Sequence, residues 1–186
     1  LPGVTVVVET RREYPDGALL AHILGYTGAI DGEAYARLKA DGYLADDLIG
    51  KTGVESTFER QLRGTYGIQL VEKDATGQQV QVLSNKQDAI PGASLRLTID
   101  TQMQKDAQQA LKWGMRAAGL KRGVVIAMNP QTGEVLALVS LPSYDNNLFA
   151  RGISNRDFKR LINDRNKPLT NHAVQAHYPP GSTYKL

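Results

Sequence analysis

Ser182 and Lys185 stand three residues apart in the run Pro179-Pro180-Gly181-Ser182-Thr183-Tyr184-Lys185. On a helix, residues at this spacing share a face, so the lysine amine can reach the serine hydroxyl. A lysine held in a dry pocket sheds its proton readily and can serve as the base that activates an otherwise weak nucleophile. The preceding Pro-Pro-Gly fits a helix start, where the positive end of the helix dipole favours a nucleophilic oxygen. The tetrapeptide alone is also what a solvated serine and lysine near a frayed terminus would look like.

Other chemistry-bearing residues read more plainly. Lys51-Thr52-Gly53 opens a predicted helix over Thr52 to Gly64, in which Thr52 and Glu55 have capping-box spacing. The triplet therefore reads as structural. It is not a phosphate loop, because the required glycine is Ala45. His22, His172 and His177 follow no metal-ligand spacing and read as packing or surface residues. Asp46-Asp47 reads as a solvated turn, and Trp113 and Met103 as core residues. No cofactor and no metal are expected. The chain has no cysteine, which excludes disulfides, thiolate zinc sites and cysteine nucleophiles.

Composition sets the frame for these candidates. The chain has 186 residues, 41% of them hydrophobic and 22% charged, as a globular protein of one or two domains requires. The net charge is +3 and the pI about 9.1. Nucleic-acid binding is nevertheless not expected. The densest basic spots, Arg11-Arg12 and Lys121-Arg122, are only pairs, and aromatics make up 6%. No apolar run approaches the roughly 18 residues of a membrane helix. The chain opens at Leu1 without an initiator methionine, which points to a piece of a longer protein.

The elements that must position the serine follow from local pattern. Thr5 to Thr10 reads as a strand and Pro15-Asp16-Gly17 as a break. Ala18 to Tyr26 reads as a short helix or loop ending at Gly25, and a helix lies within Asp31 to Leu44. Val54, Phe58 and Leu62 make one apolar stripe of the Thr52 to Gly64 helix. Ile68 to Lys73 and Gln79 to Leu83 form a hairpin around Asp74-Ala75-Thr76-Gly77. Ser84 to Gly92 is polar and marks a domain boundary. Beyond it, Ser94 to Ile99 alternates as a strand, and Asp100 or Thr101 caps a helix to about Ala118. Met103, Ala107, Ala110, Leu111 and Ala117-Ala118 make that helix's apolar face. Gly123 to Met128 and Glu134 to Leu141 form a second hairpin whose apolar strands predict burial on both faces. Ser154 with Asp157 caps a short helix carrying Phe158, Leu161 and Ile162.

The stretch Tyr178-Pro179-Pro180-Gly181-Ser182-Thr183-Tyr184-Lys185 resembles the active-site serine motif of class B penicillin-binding proteins. The resemblance runs back through Pro168-Leu169-Thr170-Asn171-His172-Ala173, where many members carry arginine at the place of His172. It includes Pro142-Ser143-Tyr144-Asp145-Asn146-Asn147-Leu148-Phe149 and Gly152-Ile153-Ser154. It also includes His22-Ile23-Leu24-Gly25-Tyr26-Thr27-Gly28, Gly50-Lys51-Thr52-Gly53-Val54-Glu55 and Leu62-Arg63-Gly64. The Tyr-Pro-Pro-Gly-Ser form is most similar to the cell-elongation branch.

The resemblance implies an α+β fold. Residues 1–90 would be a non-catalytic pedestal of the dimerisation type. Residues 91–186 would open a transpeptidase domain built on an antiparallel sheet covered by helices. It implies a serine D,D-transpeptidase of peptidoglycan, with Ser182 as nucleophile and Lys185 as base. The implied ligands are stem peptides and β-lactams. The implied partners are a membrane glycan polymerase and elongation-complex proteins, on the periplasmic side of an inner membrane. The S-x-x-K, S-D-N and K-T-G set is an established signature of such proteins and of related β-lactamases. S-x-N and the catalytic K-T-G do not follow Ser182 in this sequence. The chain alone is therefore expected to be inactive as a transpeptidase. A scaffold that binds partners through residues 1–90 is the alternative. A β-lactam sensor or β-lactamase shares S-x-x-K but does not usually carry such a pedestal.

Overall fold

The computed structural model describes residues 11–179. The predicted strand Thr5 to Thr10 lies outside them. Among these residues, helices accompany separate two-stranded antiparallel sheets, an α+β architecture.

A 3-10 turn over Gly17–Leu19 leads into α1 (Ala21–Leu24), which stops at Gly25 with φ 77°. Strand β1 (Thr27–Ala29) pairs antiparallel with β2 (Leu48–Gly50). Between them lies α2 (Gly32–Leu38), capped by Asp31 through the Ala34 amide at 2.9 Å. Ile30, Ala34, Tyr43 and Ile49 bury together as the small core of this unit.

The expected single helix over 52–64 is two. Helix α3 (Gly53–Thr57) and α4 (Glu59–Arg63) are broken at Phe58, whose ψ of 24° leaves the helical well. The expected capping box does not form, since Thr52 makes no side-chain cap. Glu55 is turned inward instead. It accepts from Arg12 Nε at 2.8 Å and Nη2 at 3.1 Å, and from the Tyr14 hydroxyl at 3.2 Å. Beyond the break, Glu59 accepts from the Gly50 amide at 2.6 Å and from the Tyr43 hydroxyl at 3.4 Å. The break thus points one carboxylate at Arg12 and the other at β2.

The first hairpin forms as read. Strand β3 (Ile68–Lys73) pairs with β4 (Gln79–Gln87). Asp74 closes the turn by accepting from the Thr76 amide, the Thr76 hydroxyl and the Gln78 amide, and these bonds lower its pKa. The polar stretch after Leu83 is not a free linker. It continues β4 to Gln87, and Ile90 then exchanges both backbone bonds with Thr65 at 2.8 and 2.9 Å. The Ala93 amide closes onto Gln61 at 2.7 Å.

Ser94 to Ile99 does not make a strand. It runs beside the second hairpin, held by the Thr98 hydroxyl on the Val135 carbonyl and the Asp100 amide on the Leu136 carbonyl. Two isolated bonds fall short of a ladder. Asp100 caps α5 (Thr101–Ala117) by accepting from the Met103 amide at 2.8 Å. The face that α5 turns inward keeps Ala107 and Leu111 of the expected one but is rotated away from Met103. Trp113 is 71% exposed and Met103 39%, while Gln104 is wholly buried.

The second hairpin pairs β5 (Gly123–Met128) with β6 (Val135–Leu141). Only β6 approaches burial on both faces. Ile126 and Met128 on β5 stay about half exposed. Then follow α6 (Asn147–Ala150), α7 (Asn155–Asn163) and α8 (His172–Gln175). Ser154 caps α7 as predicted, accepting from the Asp157 amide. Leu161 is buried, whereas Phe158 and Ile162 remain exposed.

Candidate functional site

Ser182 and Lys185 lie outside the described residues. What the structure does describe is the frame from which their segment departs, up to Pro179. Its centre is a strap, residues 14–25, gripped by side chains that come from far along the chain.

The grip is on the strap's main chain. Asn147 brackets Tyr14, accepting from its amide and donating to its carbonyl, both at 2.9 Å. The Ser143 hydroxyl donates to the Ala18 carbonyl at 2.7 Å, and Gln104 Nε2 to that of Leu19 at 3.0 Å. The Tyr144 hydroxyl donates to Ala21 at 3.4 Å and Asn146 Nδ2 to Gly25 at 2.9 Å. Asn171 Nδ2 donates to the His22 carbonyl at 3.3 Å. These carbonyls lie on tight turns and on a single-turn helix, where the last acceptors have no helical partner. The side-chain bonds satisfy those of Ala18, Leu19, His22 and Gly25, whereas the Tyr14 and Ala21 carbonyls also accept from the Gly17 and Gly25 amides at 2.9 and 2.8 Å.

The strap is also packed. Ala21 joins Tyr144, Phe149 and Leu161 in one buried cluster, with Tyr26, Leu148, Ile153 and Leu169 against it. Tyr26 and Phe149 stack with centroids 3.8 Å apart, and Tyr144 meets His22, Tyr26 and Phe149 edge-on. Burial pushes the Tyr144 phenol up to about 12. Burial and the neighbouring Glu55 carboxylate also push the Tyr14 phenol well above its ordinary value. Both tyrosines therefore serve as neutral donors, not as acids.

Gln104 spends its whole amide here. Its Nε2 also donates to the Leu138 carbonyl at 2.8 Å, and its Oε1 accepts from the Leu138 amide at 2.8 Å. It ties α5, β6 and the strap at one buried point. Next to it, β6 supports the segment that leads to the serine. The Ser140 hydroxyl accepts from the His172 amide at 2.9 Å in a buried contact. His172 Nε2 lies 3.1 Å from the Asn166 carbonyl, so that nitrogen carries the proton and donates. His172 is thus a packing residue, as the sequence implies, and it holds both ends of the loop 166–172.

His22 is the strap's own contribution. Its Nε2 lies 3.4 Å from the Pro142 carbonyl. Burial, with a smaller effect from His172, lowers its pKa despite that bond. The folded protein therefore binds fewer protons at His22 than the unfolded chain does just below pH 6.5. Stability contributed by neutral His22 is complete above that pH and is lost as pH falls toward the folded value. We expect the stability gap between the wild type and His22→Gln to shrink from pH 7.5 to pH 5. Urea unfolding at both pH values would show it, and parallel profiles would rule it out.

A second polar region lies around Asp47 and Arg63. A cleft of about 730 Å³ is lined by Arg12, Asp47, Glu59, Arg63, Tyr66 and Arg151, among others. Asp47 is buried, contrary to the solvated turn expected of Asp46-Asp47. It accepts from the Tyr66 hydroxyl at 2.5 Å and the Leu44 amide at 2.9 Å, with Arg63 at 3.6 Å. Its bond to Asp47, then burial, push the Tyr66 phenol up to about 12. The Arg63 guanidinium lies 3.6 Å from the Tyr43 ring centre, a cation–π contact. This reads as a network closed among its own charged groups, although Arg63 Nε and the Thr27 hydroxyl are buried without a hydrogen-bond partner among the described residues. The Lys51-Thr52-Gly53 triplet is likewise absorbed by the fold. Lys51 pairs with Asp31 at 3.1 Å, and a side chain at Gly53 would meet the Ile23 carbonyl at 2.6 Å. Among the described residues no group of three or more His, Asp or Glu converges as metal ligands would. Among them no helix is long and apolar enough to cross a membrane.

Residues 1–97, more than half of the chain, match the family model described as the Penicillin-binding Protein dimerisation domain. The chain belongs to the penicillin-binding proteins. Residues 123–186 match the model of the penicillin binding protein transpeptidase domain. Curated penicillin-binding relatives include the Peptidoglycan D,D-transpeptidase MrdA of Acinetobacter baumannii, 43% identical over 184 residues. That alignment covers 99% of this chain and 26% of the relative. The enzyme of the same name from Escherichia coli K12 is 42% identical over 188 residues, covering 99% and 28%. The chain thus spans about a quarter of the length of the curated relatives it matches. Pseudomonas aeruginosa PBP2, solved in complex with WCK 5153, superposes with a TM-score of 0.76 at 38% identity. It covers 94% of this chain and 33% of that one. Helicobacter pylori PBP2, solved in complex with MreC, gives 0.75 at 31%, covering 92% and 30%. The expected α+β fold and the expected elongation-branch membership of this penicillin-binding protein both hold.

Proposed function

We propose that the protein carrying this chain is a peptidoglycan D,D-transpeptidase of the cell-elongation machinery. The observation that carries this reading is the Ser182–Lys185 pair, which falls within the residues matched by the transpeptidase model. Similarity to D,D-transpeptidases along almost the whole chain supports it.

In this reading Ser182 Oγ attacks the penultimate D-Ala carbonyl of a stem peptide, giving its proton to Lys185 Nζ. The Ser182 amide supplies half of the oxyanion hole. The C–N bond to the terminal D-Ala breaks, and the proton passes to the leaving amine. The amine of a neighbouring stem then attacks the ester, forming the cross-link and releasing Ser182. A β-lactam acylates the same oxygen through ring opening. Residues 1–90 are the pedestal and 91–186 the opening of the transpeptidase domain. The protein acts on the periplasmic side of the inner membrane, beside a membrane glycan polymerase.

The test is peptide mapping after exposure to benzylpenicillin, using protein produced at the length of its relatives. We expect one drug mass added, on the peptide containing Ser182. No adduct, or an adduct elsewhere, would sink the reading. A partner-binding role for the pedestal is a second, compatible reading, favoured by the similarity to the structure solved with MreC. Partner binding that survives full acylation by penicillin would separate it from catalysis.

A further inference from the structure

Asn171 joins the strap to the segment that carries the nucleophile. We propose that it is a positioning residue for Ser182, an inference that rests on the transpeptidase reading above. Among the side chains that grip the strap, Asn171 stands nearest Ser182 in sequence, with only the four-residue helix α8 between it and the stretch ending at Pro179. A helix of one turn cannot hold itself in place, because nucleation costs more than one turn returns. The position of α8 is therefore set by its anchors.

Those anchors converge on two residues. Asn171 Oδ1 caps α8 by accepting from the Ala173 amide at 3.1 Å. Its own amide donates to Gln175 Oε1 at 2.9 Å. Its Nδ2 reaches across to the His22 carbonyl at 3.3 Å, while His172 is pinned to Ser140 on β6. Residues 171–175 are thus located between a strand on one side and the strap on the other. A nucleophile displaced by about 1 Å can lose on the order of a hundredfold in rate.

The two ends of one amide do different jobs, and chemistry separates them. Asn171→Asp keeps an acceptor for the Ala173 amide, and aspartate is a good N-cap. It replaces the donor with an anionic oxygen facing the His22 carbonyl. Asn171→Ser keeps a cap but is too short to bridge. The probe is benzylpenicillin, with protein at the length of its relatives. Stopped-flow separates initial binding from the acylation rate, and thermal unfolding is followed alongside.

We expect both variants to acylate about tenfold more slowly, with initial binding and Tm close to wild type. Wild-type acylation rates in both variants would overturn the proposal and leave the transpeptidase reading standing. Loss of binding, rate and Tm together would show a merely structural role and would also overturn it. Failure of the unsubstituted protein to acylate at all would overturn the transpeptidase reading, and this proposal with it.

Discussion

Gly25→Ala unfolds the junction between the strap and β1, at a cost of about 4 kcal/mol or more, because two backbones meet there with no room for a side chain. Gly25 has φ 77° and ψ −152°, a region that residues with a Cβ essentially avoid. A Cβ built there would lie 1.9 Å from the Thr52 carbonyl oxygen and 2.4 Å from its carbon. Backbone cannot step aside as a side chain can. The Lys51 amide next door is already bonded to the Tyr26 carbonyl at 2.9 Å. Gly53 is pressed in from the other side, its missing Cβ falling 2.7 Å from the Gly25 nitrogen. Gly42 is the control. Its φ of 80° is as unusual, yet no atom lies within 4 Å of its missing Cβ. Gly42→Ala should therefore cost only the left-handed penalty, about 1–2 kcal/mol. Urea unfolding of the two variants compares them directly. Equal midpoints would mean that the close approach is not what makes Gly25 necessary.

Gln104→Leu has the next largest expected effect, a loss of about 3 kcal/mol. Leucine fills much the same volume and favours helix, so neither a cavity nor helix propensity dominates. What changes is polar satisfaction. The Leu138 amide loses its acceptor, and the Leu138 and Leu19 carbonyls each lose a donor. Gln104 is 0% exposed, so water does not replace it. Each stranded buried group costs about 1–3 kcal/mol, and the added apolar burial returns part of that sum. Amide exchange gives a local check. Protection at Leu138 should fall more than at Val139, whose register within the hairpin is untouched. Uniform loss across β6 would point to general destabilisation instead.

Much of the local structure was legible in sequence, and much of the frame was not. The span of α5, the Ser154 cap and the Asp74 turn are written in residues a few positions apart, and short-range signals of that kind survive folding. The helix over 52–64 misled because its apolar stripe continues through Phe58, while Glu55 and Glu59 must reach partners in different directions. Ser94 to Ile99 alternates like a strand, yet its bond to β6 is made by the Thr98 hydroxyl, and the next comes from the Asp100 amide beyond it. Trp113 looks like a core residue by type, but it stands on the outer side of its helix while a glutamine takes the buried place.

The gripping residues were hidden for a different reason. Gln104, Asn146, Asn147 and Asn171 are ordinary polar residues whose partners are main-chain carbonyls. A carbonyl has no residue type, so spacing carries no trace of the match. Asn146, Asn147 and Asn171 do lie within the segments that carry the family resemblance. It gave no sign that all three converge on residues 14–25.

The same convergence sets an order of events during synthesis. The donor to the His22 carbonyl is 149 residues away in sequence, and the donor to Ala18 is 125. At roughly 5–20 residues per second, His22 is made about 7 to 30 seconds before Asn171. The core around Tyr43 can close in that interval, because its members lie within residues 30–49. The strap cannot, so it must wait for partners that are made later.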